Sequence, residues 1–205
     1  MKKVAILIDG GFFSYKYKDK KGTHARATDV EAFTKTCLKP DEELFRIFYY
    51  DCPYYEKTLK LPVSKTNEDY SNKPKTNAVK IFLSEIAKLD HFALRKGVLS
   101  FDGWTIKKSV QESIAVTPRT LLDSDFEPIF KQKEVDIKIG LDVAWLALNK
   151  IVDRIILIAC DSDFIPVLKF ARREGLQTIL VTLNHTHIKN NMQDHCDEFR
   201  LVEIT

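Results

Sequence analysis

The apolar positions along this chain fall into two rhythms. Val4-Ala5-Ile6-Leu7-Ile8 is an unbroken apolar run, and similar runs span Leu44 to Tyr50, Arg154 to Cys160 and Leu176 to Leu183. Short runs rich in β-branched residues predict strands buried on both faces. Phe92 to Phe101 predicts a further strand, and Phe199 to Ile204 a last one. Between them the spacing turns helical. From Asn77, Val79, Phe82, Leu83, Ile86 and Leu89 recur at the period of a helix, as do Ile137, Leu141, Ala144, Trp145 and Leu148 after Asp136. The second set predicts a core-facing stripe on a helix that Asp136 caps.

Local signals place the boundaries. Asp9-Gly10-Gly11 predicts a turn after the first strand, with Phe12-Phe13 re-entering the core. Thr28 followed three residues later by Glu31 has the form of a capping box. A helix over Phe164 to Glu174 would end at Gly175, a suitable C′ residue. Ile188 to Cys196 predicts a short helix. Pro53 to Lys75 lacks periodicity and predicts loop. In 102–131, Trp104, Ile106 and Val110 suit a strand or hairpin, while Pro118 and Pro128 interrupt any helix; this stretch predicts an insertion within one domain spanning 1–205.

Strands alternating with helices call for an α/β fold with a mainly parallel sheet, covered on both faces and joined by right-handed crossovers. Ligands bind such sheets beyond the carboxyl ends of the strands. Asp9 ends the first strand there, and Asp161 and Asp163 follow a later one. With Asp136 they make four aspartates that one sheet edge can gather, and clustered carboxylates repel unless a hard cation neutralises them. Mg²⁺ or Mn²⁺ is the ion such a donor set implies, and metal-assisted attack of water on a phosphodiester is chemistry it could serve.

Each residue also has a plainer explanation. Asp163 precedes Phe164-Ile165-Pro166 and suits a helix cap, as does Asp136 at the start of its helix. Asp142 lies four residues after Lys138, the spacing of a surface ion pair. Asp161 is harder to dismiss, because acids at i and i+2 oppose each other unless something positive lies between them.

Composition narrows the classes. An apolar fraction of 44% in 205 residues suits an ordinary globular core. No run is long enough to span a membrane, and Met1-Lys2-Lys3 leads straight into a strand, which predicts a cytoplasmic protein. Cys37, Cys52, Cys160 and Cys196 lack zinc-ligand spacing and predict reduced, structural thiols, Cys160 inside a strand. His185-Thr186-His187 is a doublet without flanking ligands, which favours a loop or surface role. A net charge of +3 decides little, but its distribution says more. Lys16, Lys18, Lys20, Lys21 and Arg26 crowd one stretch, and Lys57, Lys60, Lys65, Lys73 and Lys75 another. Such runs are commonly solvated loops; beside an acidic cleft they, with Lys138, would supply phosphate contacts.

Three blocks carry a resemblance. They are Val4 to Phe13, Lys133 to Val143, and Asp161-Ser162-Asp163-Phe164-Ile165-Pro166-Val167-Leu168 with Ala171-Arg172-Arg173-Glu174-Gly175-Leu176. In this order they resemble the NYN domain, in its LabA-like branch, of the PIN-like nuclease superfamily. The resemblance implies a PIN-like three-layer α/β/α sandwich and a ribonuclease using Mg²⁺ or Mn²⁺. Asp9, Asp136, Asp161 and Asp163 would be the catalytic metal-site positions, with Asp142 a second-tier fifth, and RNA the partner. Many members carry Asn shortly after the first Asp, where this chain has Phe12-Phe13, and residues 53–131 carry no family motif.

Two other readings compete. A haloacid-dehalogenase-like phosphatase would need an Asp-x-Asp nucleophile motif after the first strand, where Gly10-Gly11 stands instead. A non-catalytic RNA-binding or regulatory module could keep the acidic pocket without cutting. A homo-oligomer is compatible with either.

Overall fold

The computed structural model describes residues 1–183 and 189–204, with the backbone alone at 189–191. The chain divides into two compact units, Met1–Asp51 with Phe82–Gly97 and Glu134–Thr205, and Cys52–Ile81 with Val98–Lys133. The stretch 102–131 falls within the second.

The first unit is built on strands β1 (Lys2–Asp9), β2 (Glu42–Asp51), β5 (Phe92–Lys96), β8 (Arg154–Ile158), β9 (Gln177–Val181) and β10 (Glu198–Phe199), laid in the order β10-β9-β8-β1-β2-β5. Every pairing in this sheet is parallel. The helices α1 (Gly10–Lys21), α2 (Ala27–Thr36), α5 (Val135–Leu148) and α6 (Ile165–Arg173) flank it, giving the three-layer α/β/α arrangement of a PIN-like fold. The central strands explain their own burial. Val4 to Ile8 and Ile155 to Ile158 are wholly enclosed, and each of their Val, Leu and Ile side chains stabilises the fold by about 1.5–3 kcal/mol relative to exposure.

Several boundaries differ from the sequence reading. Asp9-Gly10-Gly11 is no loop: α1 starts directly at Gly10, with Asp9 as its N-cap. Helix α2 opens at Ala27 rather than at a Thr28 cap, because Asp29 accepts the Arg26 backbone N–H at 2.8 Å and also binds its guanidinium. The expected strand over Phe92–Phe101 is two strands. Gly97 N–H donates to Asp51 O and closes the parallel pairing, and β6 (Val98–Ile106) then pairs antiparallel with β7 (Phe126–Lys133) in the second unit. Cys160 lies just beyond β8 and is part-exposed, and all four cysteines are free thiols. The backbone over Lys189–His195 is 3₁₀. His185 and His187 lie outside the described residues.

Helix α5 gives the largest correction. Its core face is Val135, Ile139, Val143 and Leu146, all buried, while the expected face of Ile137, Leu141, Trp145 and Leu148 points outward. Both sets recur at offsets 0, 4, 8 and 11, so periodicity alone does not choose between them.

The second unit also replaces loop with structure. Within Pro53–Lys75, β3 (Thr58–Lys60) pairs antiparallel with β4 (Asn67–Asp69), and α3 (Pro74–Ile86) starts at Pro74 and runs on past the unit's limit. Helix α4 (Lys108–Val116) follows β6. The unit's core is aromatic. Tyr55 and Phe130 lie 5.0 Å apart between ring centroids, with Tyr54, Tyr70, Phe101 and Trp104 packed around them, mostly tilted or edge-on. These are the arrangements that aromatic quadrupoles favour.

Candidate metal centre at the carboxyl edge of the sheet

Strands β1 and β8 are neighbours in register, Ile8 opposite Ile158, so the residues just past each strand emerge on the same edge. Asp9 is the last residue of β1. Its Oδ1 accepts the Phe12 N–H at 3.1 Å, capping α1. The chain turns this sharply because Gly10 has no side chain: a Cβ there would stand 2.6 Å from Tyr50 O and 2.8 Å from the Tyr49 ring. Burial pushes the Asp9 carboxyl above its ordinary range. The Phe12 and Gly11 amides oppose that shift, and the negative charges of Asp136 and Asp161 add to it.

Asp161 comes after β8, beyond Ala159-Cys160. It caps the 3₁₀ turn Ser162–Phe164, its Oδ1 accepting the Asp163 N–H at 3.0 Å. The capping role suggested for Asp163 therefore belongs to Asp161, and the Asp163 carboxylate is exposed. Asp136 is the second residue of α5, not its cap; Glu134 occupies that place in the left-handed region. Burial raises the Asp136 pKa, and Asp161 and Asp163 raise it further. Asp9, Asp136 and Asp161 thus feel one another's charge across three separate segments, and Asp163 joins through Asp136.

Asp142 is engaged elsewhere. Its carboxylate accepts the Tyr50 hydroxyl at 2.8 Å and Arg95 Nε at 2.9 Å. Lys138, its expected partner, instead binds Lys96 O at 2.6 Å and Glu134 at 2.9 Å. Tyr50 and Arg95 were not anticipated. The available signal was their place, since both stand near the carboxyl ends of parallel strands. Asp51 ends β2 on the same edge and was also missed.

Lys16, Lys18, Lys20 and Lys21 lie on a helix rather than in a loop, the last three in the final turn of α1. There they complement the helix dipole. At 1.5 Å per residue, Lys21 is about 18 Å along the helix from Asp9.

The donor chemistry suits a hard divalent cation: carboxylate oxygens, two of them carrying raised pKa values from burial and neighbouring negative charge. Among the described residues, no three His, Cys, Asp or Glu side chains stand close enough to ligate one ion together. Mg²⁺ commonly uses one or two carboxylates and keeps several waters, so this spacing fits an ion that reaches the remaining acids through water.

Residues 3–203 match the family described as the NYN domain. The chain belongs to the NYN domain family. That places it in the PIN-like nuclease superfamily, whose NYN members are generally nucleases, act on RNA and typically depend on divalent metal. Among solved structures, this NYN chain is similar to a protein of unknown function from Vibrio parahaemolyticus RIMD 2210633. The TM-score is 0.53 at 15% identity, over 98% of this chain and 93% of that one. The likeness is one of fold. No curated protein matches the NYN chain.

Proposed function

We propose that the protein is a metal-dependent ribonuclease of the LabA-like branch, hydrolysing RNA phosphodiester bonds with Mg²⁺ or Mn²⁺. The observation that carries this is the electrostatic coupling of Asp9, Asp136 and Asp161 at the carboxyl edge of an NYN sheet. Asp9 and Asp161 would hold the ion, since their helical caps fix both carboxylates in place. Asp136 and Asp163 would complete the negative field that draws it in. When bound, the ion neutralises charge on the phosphate and acidifies a water. Lys16, Lys18, Lys20 and Lys21 form a basic helix end suited to the RNA backbone away from the scissile bond. Lys138 serves mainly to tie α5 to β5 through Lys96 O. The Asp142–Arg95–Tyr50 triad holds the carboxyl end of β2 and β5 against α5.

The test is cleavage of labelled single-stranded and hairpin RNA with Mg²⁺, Mn²⁺ or EDTA, beside Asp161→Asn. Asparagine can still cap the 3₁₀ turn, so the variant should fold and bind RNA while cutting at least about 100-fold more slowly. RNA bound but uncut by the native protein under every condition would sink the nuclease reading and leave an RNA-binding module.

A further inference from the structure

Helix α5 exposes an apolar stripe that the site at its N-terminus does not use. Ile137, Leu141, Trp145 and Leu148 are 67%, 64%, 51% and 62% exposed. At 3.6 residues per turn they occupy an arc of about 80°. Their exposed area is on the order of 500 Å², within the roughly 300–600 Å² of a typical monomer's largest apolar patch, which is often functional. No charged side chain lies among the four. Lys138 on the flank is held by Lys96 O and Glu134, and Asp142 by Arg95 and Tyr50.

We propose that the protein forms a two-fold symmetric dimer through this face, the two copies of α5 packing antiparallel. The stripe is nearly its own complement. Turned end for end about Val143, Leu141 falls against Trp145 of the second copy, and Ile137 falls within one residue of Leu148 of the second copy. A two-fold interface requires this reciprocity. The charges at the helix ends agree with it: Glu134 stands at the N-terminus and exposed Lys150 just beyond the C-terminus, so the antiparallel pair sets each near its opposite. Antiparallel helix dipoles favour the same arrangement. Two stripes wholly covered bury at most about 1,000 Å², the threshold for a specific interface, and the flanking residues of α5 add to it. Asp136 lies about 140° around the helix from Leu141, so the dimer leaves both acidic centres open. The assembly therefore stands or falls separately from the nuclease activity.

Sedimentation velocity on the full chain over a wide micromolar range tests this. The native protein should approach twice the 23.7 kDa of one chain. Trp145→Lys should raise the dimer dissociation constant by about thirtyfold or more, as loss of a central aromatic anchor does. Leu141→Gln is a milder second variant should the first fail to fold, which circular dichroism would reveal. Lys150→Glu should weaken association by facing Glu134 of the second copy, and Lys150→Glu with Glu134→Gln should relieve that repulsion. A native chain of 23.7 kDa at every concentration, or dimerisation indifferent to the stripe variants, would overturn the proposal. Weakening by Lys150→Glu without relief by Glu134→Gln would overturn the antiparallel arrangement.

Discussion

Asp9 ends a buried strand and caps a helix while facing two other acids, and these demands pull in opposite directions. The amides of Phe12 and Gly11 favour its charged form, whereas burial, Asp136 and Asp161 disfavour it, and the net pKa is raised. A raised carboxyl pKa means that the native state holds the proton more tightly than the unfolded chain. Stability therefore falls as pH rises from the ordinary 3.8 through the raised native value, and the deficit persists at neutral pH. Asp9→Asn removes the charge and keeps a good cap. In EDTA at neutral pH it should raise Tm, because the buried charge facing Asp136 and Asp161 is gone. On the proposed metal site, Mg²⁺ should raise the Tm of the native protein, as any ligand of the folded state alone does, and should lose that effect in the variant. Differential scanning fluorimetry reads both; a Tm lowered by Asp9→Asn in EDTA would refute the account.

Elements are held in place by a few buried polar contacts. Glu42 opens β2 and is enclosed. Burial alone would push its pKa up, but Arg200, the Lys39 amide and Arg154 hold it down at about 2. Arg200 reaches Glu42 at 2.9 and 3.0 Å and also donates to Cys37 O, so the segment after β10 is tied to β2 and to the end of α2. A depressed carboxylate pKa adds stability above the unfolded value of 4.5, and that stability is lost as pH falls toward about 2. Arg200→Ala leaves Glu42 with Arg154 and the Lys39 amide alone and should cost about 1.5–3 kcal/mol, the range for hydrogen bonds to a charged group. It should also flatten the acid limb of the stability profile between those two values, as urea unfolding against pH would show. In the second unit the core is aromatic, and Phe130 contacts Tyr54, Tyr55, Tyr70 and Phe101. Phe130 is half-buried, and Phe130→Ala should destabilise this unit by about 2–3 kcal/mol. Hydrogen exchange should quicken across 98–133 while Val4–Ile8 stays protected; equal loss in both would contradict a separate aromatic core.

At the scale of the whole molecule, sequence and structure divided the work unevenly. The parallel strands were legible because strands buried on both faces must be apolar throughout, and no other element of that length reads so. The family was legible too, since Asp9-Gly10-Gly11 and Asp161-Ser162-Asp163 sit at turns whose backbone and chemistry leave few substitutes. The second unit was not: its rings lie scattered between 54 and 130 and meet through chain pairings such as that of β6 with β7, which no local period announces. The partners of Asp142 were equally hidden, because Lys138 is near in sequence while Arg95 and Tyr50 are near only across the sheet. What the chain determined by itself was the order and type of the parallel elements and the strand ends at which acids stand. Tertiary structure alone decided which of two equally spaced stripes on α5 enters the core, because a helix apolar on both sides takes its orientation from the sheet it packs against.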